Sequence, residues 1–332
     1  MQPHSIIATG SVGKIVYPPL NVDVDRKKPA VVSKIAEKTE VVDEFDIGQK
    51  IIDLIETDGT SILIDGTRFR CYRFGVYGLT MQPLLSHSTV RTRLQKRKWN
   101  AIVERSPGLS DIDPSSYIMQ MEKADGDVHF LLDRCTPKAL FSALLALRNT
   151  IIGLTKMHAA GFYHFDVKPS NILFFGPLRN PSTTKMADFG LAKCVDDADL
   201  WDAAALTIPW QNFPPWASYI ALFFCGGSRE QLSVKENEIR LFFERPDCER
   251  FTCVDERIYT HMQIDLGQFV FERNALFDAI DIYGLAMCLD RVYYLAPAIV
   301  QSRIRHFCTD AAMCELRDNE VLSRWDEILY AF

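Results

Sequence analysis

The chain has 332 residues, 48% apolar and 24% charged, with a net charge of −6. This is the profile of a soluble globular protein with room for one large domain or two lobes around a cleft, and its acidic balance argues against a nucleic-acid partner. Nine scattered cysteines without a CxxC pair, and an N-terminus without a basic-then-apolar leader, predict reduced thiols in the cytoplasm and exclude a secreted disulfide scaffold.

Residues 5–35 read as three strands broken by a glycine turn and a loop (SIIATGSVGKIVY, then AVVSKIA). A helix is expected over about 39–56, with Val41, Phe45, Gly48, Ile52 and Ile55 forming its inward stripe. Residues 61–81 alternate apolar and polar and predict strands. An irregular insertion over 82–115 follows, carrying the basic run Arg91, Arg93, Lys96, Arg97 and Lys98, which reads as a solvated loop, with a nuclear-localisation or polyanion-binding patch as the alternative. Tyr117–Glu122 returns to strand. Leu140, Leu144, Leu147, Ile151, Leu154 and His158 then mark one face of a long helix stopped at Gly161. Short strands NILFF and KMA flank a turn-rich link. Residues 217–275 are mixed, Asp281–Tyr294 reads as a buried helix, and a short helical tail closes the chain. Trp216–Cys225 is too short to cross a bilayer and Leu285–Val300 carries Asp290 and Arg291, so no transmembrane segment is expected.

Two short strings carry the chemistry. In His164-Phe165-Asp166-Val167-Lys168-Pro169-Ser170-Asn171, Asp166 is placed to accept or orient a hydroxyl proton, and Lys168 to reach a transferring phosphoryl group. Asn171 offers a neutral oxygen and Asp188, in Asp188-Phe189-Gly190, a charged one. Mg²⁺ takes a few such hard oxygens and completes its shell with phosphates and water. The set therefore suits Mg²⁺–ATP and a hydroxyl acceptor.

These strings resemble the catalytic and magnesium loops of eukaryotic-type serine/threonine protein kinases. The likeness implies an α+β, bilobal fold, with a β-rich N-lobe and hinge over 1–124 and a mainly helical, partly rebuilt C-lobe over 125–332. It implies ATP and Mg²⁺ as cofactors and protein hydroxyls as acceptors, with no membrane or specific nucleic-acid partner. Ala8-Thr9-Gly10-Ser11-Val12-Gly13-Lys14-Ile15 resembles the glycine-rich loop over the phosphates, so Ala8, Gly10, Ser11, Gly13 and Ile15 become ATP-binding candidates. Lys34 matches the lysine that grips the α- and β-phosphates. Helix phase places its carboxylate partner at Glu44, with Glu40 in reserve. Met121, Glu122 and Ala124 resemble the adenine hinge, with Met121 as gatekeeper, and Asp127 is a ribose candidate. Asp281 resembles the buried aspartate that anchors the catalytic loop, with Asp278 the poorer alternative. Lys168 in DVKPSN favours serine/threonine over tyrosine.

The pattern also breaks. Ala8 replaces a glycine. Phe165 stands where regulated kinases carry the arginine that pairs with an activation-segment phosphate, which predicts little dependence on that phosphorylation. The segment instead holds Asp196, Asp197, Asp199 and Asp202. Trp216 stands where the family has a glutamate that makes a buried ion pair, and apolar packing is expected in its place. Short strings are similar to protein kinases of large DNA viruses, which implies the host-cell cytoplasm or the virion. A pseudokinase scaffold and, more remotely, a small-molecule kinase are the rival readings.

Overall fold

The computed structural model describes residues 4–10, 13–20, 31–53, 62–64, 67–69, 74–84, 99–197, 213–245, 248, 250–260 and 275–332. Ser11, Ile55, the basic run 91–98, Asp199 and Asp202 lie outside the described residues. The chain forms two compact units, each with its own core.

The first unit is built on an antiparallel sheet in the order β1-β2-β3-β7-β6. Its strands are β1 (Ser5–Gly10), β2 (Gly13–Tyr17), β3 (Val31–Ala36), β6 (Thr80–Pro83) and β7 (Tyr117–Glu122). β3 lies between β2 and β7 and is buried along its whole length, which suits its Val-Val-Ser-Lys-Ile-Ala sequence. Helix α1 (Lys38–Ile51) packs on this sheet. Its buried positions are Val41, Glu44, Gly48 and Ile51, whereas Phe45 and Ile52 are half-buried. The expected stripe was thus placed about one residue out of phase. A carboxylate, invisible to an apolar periodicity count, takes one of the inward positions.

The expectation of an irregular insertion over 82–115 is corrected for its described part. Residues 99–105 are helical, and Trp99, Leu109 and Ile112 join Val16, Leu20, Ile35, Leu84 and Ile118 in one apolar cluster. The N–H of His4 donates to Ser106 Oγ at 2.9 Å, which ties the start of the chain to this segment.

The second unit is mainly helical. It contains β4 (Ile62–Ile64) paired with β5 (Thr67–Phe69), the two-residue strand β8 (Gly126–Asp127), α2 (Val128–Asp133), α3 (Pro137–Ala159) and β9 (Phe162–Tyr163). β10 (Ile172–Phe175), β11 (Thr183–Met186) and β12 (Lys193–Cys194) follow. Then come α4 (Ala217–Phe224), α5 (Arg229–Phe243), α6 (Arg257–Thr260), α7 (Ala275–Val292), α8 (Ala298–Ala312) and α9 (Asp318–Leu329).

Helix α3 is long and apolar enough to cross a membrane by composition, yet its face from Leu140 to His158 is buried within this unit. Pro137 begins it, where the missing N–H costs nothing, and Gly161 ends it at φ +77°. Helix α9 docks on α3: the Trp325 indole N–H donates to the Leu144 carbonyl at 3.1 Å, and Arg148 grips Asp326 through two bonds of 2.7 and 2.9 Å. The closing segment is therefore two full helices rather than a short tail. The described part of the mixed region holds α4, α5 and α6, with a reciprocal Ser228/Gln231 cap opening α5.

The α+β class holds, with a β-rich first unit and a mainly helical second. The boundary expected at 124/125 is crossed twice. Strands β4 and β5, Phe74 and Gly75 group with the second unit, and Asp188–Gly190 with the first.

Candidate active site

In the first unit, the β1–β2 hairpin pairs Gly10 with Gly13, and a register slip between Ile6 and Ala8 leaves Ile7 as a bulged, exposed residue. Gly13 has a structural reason to be glycine: a Cβ there would sit 2.8 Å from the Ile35 carbonyl oxygen on β3. The pairing of β2 with β3 places Ile15 opposite Lys34.

Lys34 is buried, and its Nζ donates to Glu44 Oε2 at 2.6 Å and to Asp188 Oδ1 at 2.9 Å. Glu44 is therefore the helix carboxylate that meets the strand lysine. Burial, the strongest single influence, pulls the Lys34 pKa down, but the two carboxylates outweigh it and hold the ammonium above its ordinary value. Burial likewise raises Glu44, against the pull of Lys34. Asp188 adopts φ +63°, a left-handed backbone that turns its carboxylate to the lysine, and the following Phe189 stacks on Tyr77 with centroids 5.1 Å apart. Met121 is buried on β7 opposite Val32, and Glu122 and Ala124 are half-buried at the end of this strand.

In the second unit, Asp166 is held from three directions. Lys168 Nζ donates to both of its carboxylate oxygens at 2.9 and 2.8 Å. Asn171 Nδ2 donates to Oδ2 at 2.7 Å and to the Asp166 backbone carbonyl at 3.0 Å. Its amide nitrogen is thus committed to Asp166, and the amide oxygen becomes the atom it offers to a cation. The Asp166 N–H points to His164 Nδ1 at 3.3 Å, while His164 Nε2 faces the Ala187 carbonyl at 3.1 Å, so the ring carries its proton on Nε2.

Asp281, fully buried on α7, anchors this loop. Oδ2 accepts the His164 N–H at 2.7 Å and Oδ1 the Phe165 N–H at 2.8 Å. These bonds hold Phe165 at φ +61°, a conformation unfavourable for a bulky residue. Asp127 caps α2, its Oδ1 accepting the Phe130 N–H at 2.7 Å, so one carboxylate oxygen of the ribose candidate already has a structural partner.

Three features were not legible beforehand. His158, read as the last position of an apolar stripe, lies beside Asp281, with Nε2 to Oδ2 at 3.0 Å. Burial alone would lower its pKa, but Asp281, Asp318 and Asp278 push it up to about 10. Asp278 itself is pushed up to about 6, by burial first. Gly284 lets α7 approach the loop that carries Asp166, since a Cβ on it would lie 2.0 Å from the Val167 carbonyl oxygen. Phe165 enters an aromatic cluster with Tyr163, Phe213 and Phe277, at centroid distances of 6.3, 6.4 and 5.7 Å. The one available signal was a polar residue, His158, at a core position of the helical repeat.

Trp216 is fully buried and donates its indole N–H to the Ile258 carbonyl at 3.0 Å, so an aromatic anchor occupies that position without any ion pair of its own. Among the described residues, no cluster of three or more His, Cys, Asp or Glu is arranged to hold a metal unaided. The Asn171 amide and the Asp188 carboxylate each present a hard oxygen, the donor type taken by an ion that brings phosphate and water oxygens with it.

Residues 94–211 match the protein kinase domain family. The chain is similar to the serine/threonine-protein kinase pkn3 of Myxococcus xanthus, 33% identical over 95 residues, which is 29% of this chain and 17% of that protein. It is 40% identical over 79 residues to the serine/threonine-protein kinase PknA of Mycobacterium tuberculosis, covering 24% of this chain and 17% of the relative. It is 42% identical over 67 residues to mouse ribosomal protein S6 kinase alpha-6, covering 19% and 9%. The chain thus spans less than a fifth of the length of these curated relatives.

Proposed function

We propose that the chain is a serine/threonine protein kinase that transfers the γ-phosphate of ATP to protein hydroxyls with Mg²⁺. The observation that carries this reading is the paired arrangement of Lys34 with Glu44 and Asp188, in a chain that also fixes Asp166 with Lys168 and Asn171. A buried cation held between two carboxylates is a fixed donor for α- and β-phosphate oxygens. Asp166 has an acceptor oxygen for the hydroxyl proton, and Lys168, touching that carboxylate, supplies positive charge for the transferring phosphoryl group. Asn171 and Asp188 are the residues proposed to hold Mg²⁺, which would supply charge neutralisation for the phosphates. Gly10, Gly13 and Ile15 in the hairpin, and Met121, Glu122 and Ala124 on and after β7, are the proposed contacts to the nucleotide.

We further infer that activity does not wait for phosphorylation of the segment before Trp216. Where a phosphate-binding arginine would stand, Phe165 packs against Phe213 and Phe277, and Trp216 is pinned to Ile258. These contacts hold Phe213 and Trp216 in place by aromatic packing and a backbone hydrogen bond, with no charged group that calls for a phosphate. Protein treated with phosphatase should keep its activity.

The test is transfer of labelled phosphate from Mg²⁺–ATP to a mixed protein pool, with Asp166→Ala as the control. Asp166→Ala should lower turnover by orders of magnitude while nucleotide binding persists, because it removes the proton acceptor and leaves Lys34 intact. Nucleotide binding without transfer by the native protein would favour the scaffold reading, to which Ala8, Phe165 and Trp216 lend weight.

A further inference from the structure

We propose that Asp318, acting through His158, is a positioning residue for the catalytic loop, so that the docking of the last helix is built into the placement of Asp166. The kinetic part of this proposal rests on the phosphotransfer reading, and the structural part does not.

His158 is buried at the end of α3 between two other helices. Its Nε2 lies 3.0 Å from Asp281 Oδ2 on α7. Its Nδ1 lies 3.0 Å from Asp318 Oδ1 at the start of α9 and 3.5 Å from Asp278 Oδ1 on α7. Ionised carboxylates only accept hydrogen bonds, so both ring nitrogens must donate and the ring is an imidazolium. A neutral imidazole carries a single proton and satisfies one side alone. With carboxylates at both ends, the ring cannot turn about its own axis without losing a charge-assisted bond.

That orientation reaches the reacting residue in two steps. The Asp281 oxygen that faces His158 also takes the His164 N–H, and its other oxygen takes the Phe165 N–H. Phe165, held in its left-handed conformation, is the residue directly before Asp166. Releasing the Asp318 end lets the imidazolium turn toward Asp278, which weakens its hold on Asp281 and so on the two amides. Helix α9 has separate anchors in Trp325–Leu144 and Arg148–Asp326, so removing the Asp318 charge leaves the helix docked. Positioning and folding are therefore separable.

The experiment compares Asp318→Asn with Asp318→Glu, and with Glu320→Gln, a control that removes an exposed acidic residue from the same first turn. Amide hydrogen exchange is followed by peptides covering 162–167 and, as a reference, α8. Turnover and the ATP KM are measured in parallel. In Asp318→Asn, exchange at His164 and Phe165 should accelerate roughly 10-fold or more with α8 unchanged, the signature of local opening. Turnover should fall about 10-fold with little change in ATP KM, the pattern of a lost transition-state arrangement. Asp318→Glu, which keeps the charge, should lie between this variant and the native protein, and Glu320→Gln should match the native protein. Unchanged exchange at 164–165 in the folded variant, or an acceleration shared equally by α8, overturns the proposal. If the native protein transfers no phosphate yet Asp318→Asn loosens the loop selectively, the phosphotransfer reading fails and the coupling stands.

Discussion

Replacing Gly284 by alanine asks whether the contact between α7 and the catalytic loop sets the rate. The added methyl carbon would lie 2.0 Å from the Val167 carbonyl oxygen and 2.6 Å from its carbonyl carbon. Both are backbone atoms, so no rotamer change relieves the clash, and tolerable contacts begin near 3.0 Å. The loop and α7 must therefore separate by about 1 Å, an overpacking that typically costs about 1–3 kcal/mol. The same separation stretches the two hydrogen bonds that the His164 and Phe165 N–H groups donate to Asp281, which projects from about one turn earlier on the same helix. Since Val167 lies between Asp166 and Lys168, the displacement falls on the proposed proton acceptor and its cation together. A misplacement of this size lowers catalysis about 10²-fold. The assay is steady-state phosphotransfer, with turnover and ATP KM resolved, beside a urea titration of the same preparation. Turnover should collapse while ATP KM, assigned in the proposed function to Lys34 on a separate strand, stays near the native value. A variant that folds and turns over like the native protein refutes the argument, because it would mean that the loop tolerates displacement at its tightest contact.

Lys34→Met leaves the buried Glu44 carboxylate without a cation; breaking such a pair costs about 3–5 kcal/mol, so the thermal midpoint and nucleotide affinity should fall together. His158, raised to about 10, adds stability that is complete below its unfolded value near 6.5 and is lost as pH climbs through about 10. Asp278, raised to about 6, acts in the opposite range, costing stability as pH rises from 3.8 through about 6. Urea midpoints across pH should show both limbs; His158→Gln should abolish the alkaline one and Asp278→Asn the acidic one, and a His158→Gln profile parallel to the native protein would count against the imidazolium assignment. Trp216→Phe keeps the aromatic packing and removes the hydrogen bond to Ile258, so it should cost about 1 kcal/mol in a denaturant titration.

The residues proposed for the site stand out in the chain alone. Asp166, Lys168, Asn171 and Asp188 are short-range signals: the proton acceptance, phosphate contact and cation binding proposed for them each demand particular side chains at particular intervals. Helix α3 was equally legible, because apolar residues spaced every three to four positions line up on one side of a helix and scatter over both faces of a strand. Asp281 was legible for a related reason, since a carboxylate inside an apolar helix requires donors. Contacts across long sequence separations decided the rest. The phase of α1 follows the bond between Glu44 and Lys34 and the claim of Asp188, 154 residues beyond Lys34. Residues 99–112 looked irregular because their apolar side chains complete a cluster with strands far away in sequence. His158 passed for a core position because its partners arrive 123 and 160 residues later. Local pattern reports what a residue can do; burial and the charges that surround it, which exist only after folding, determine which protonation state and which partner it takes.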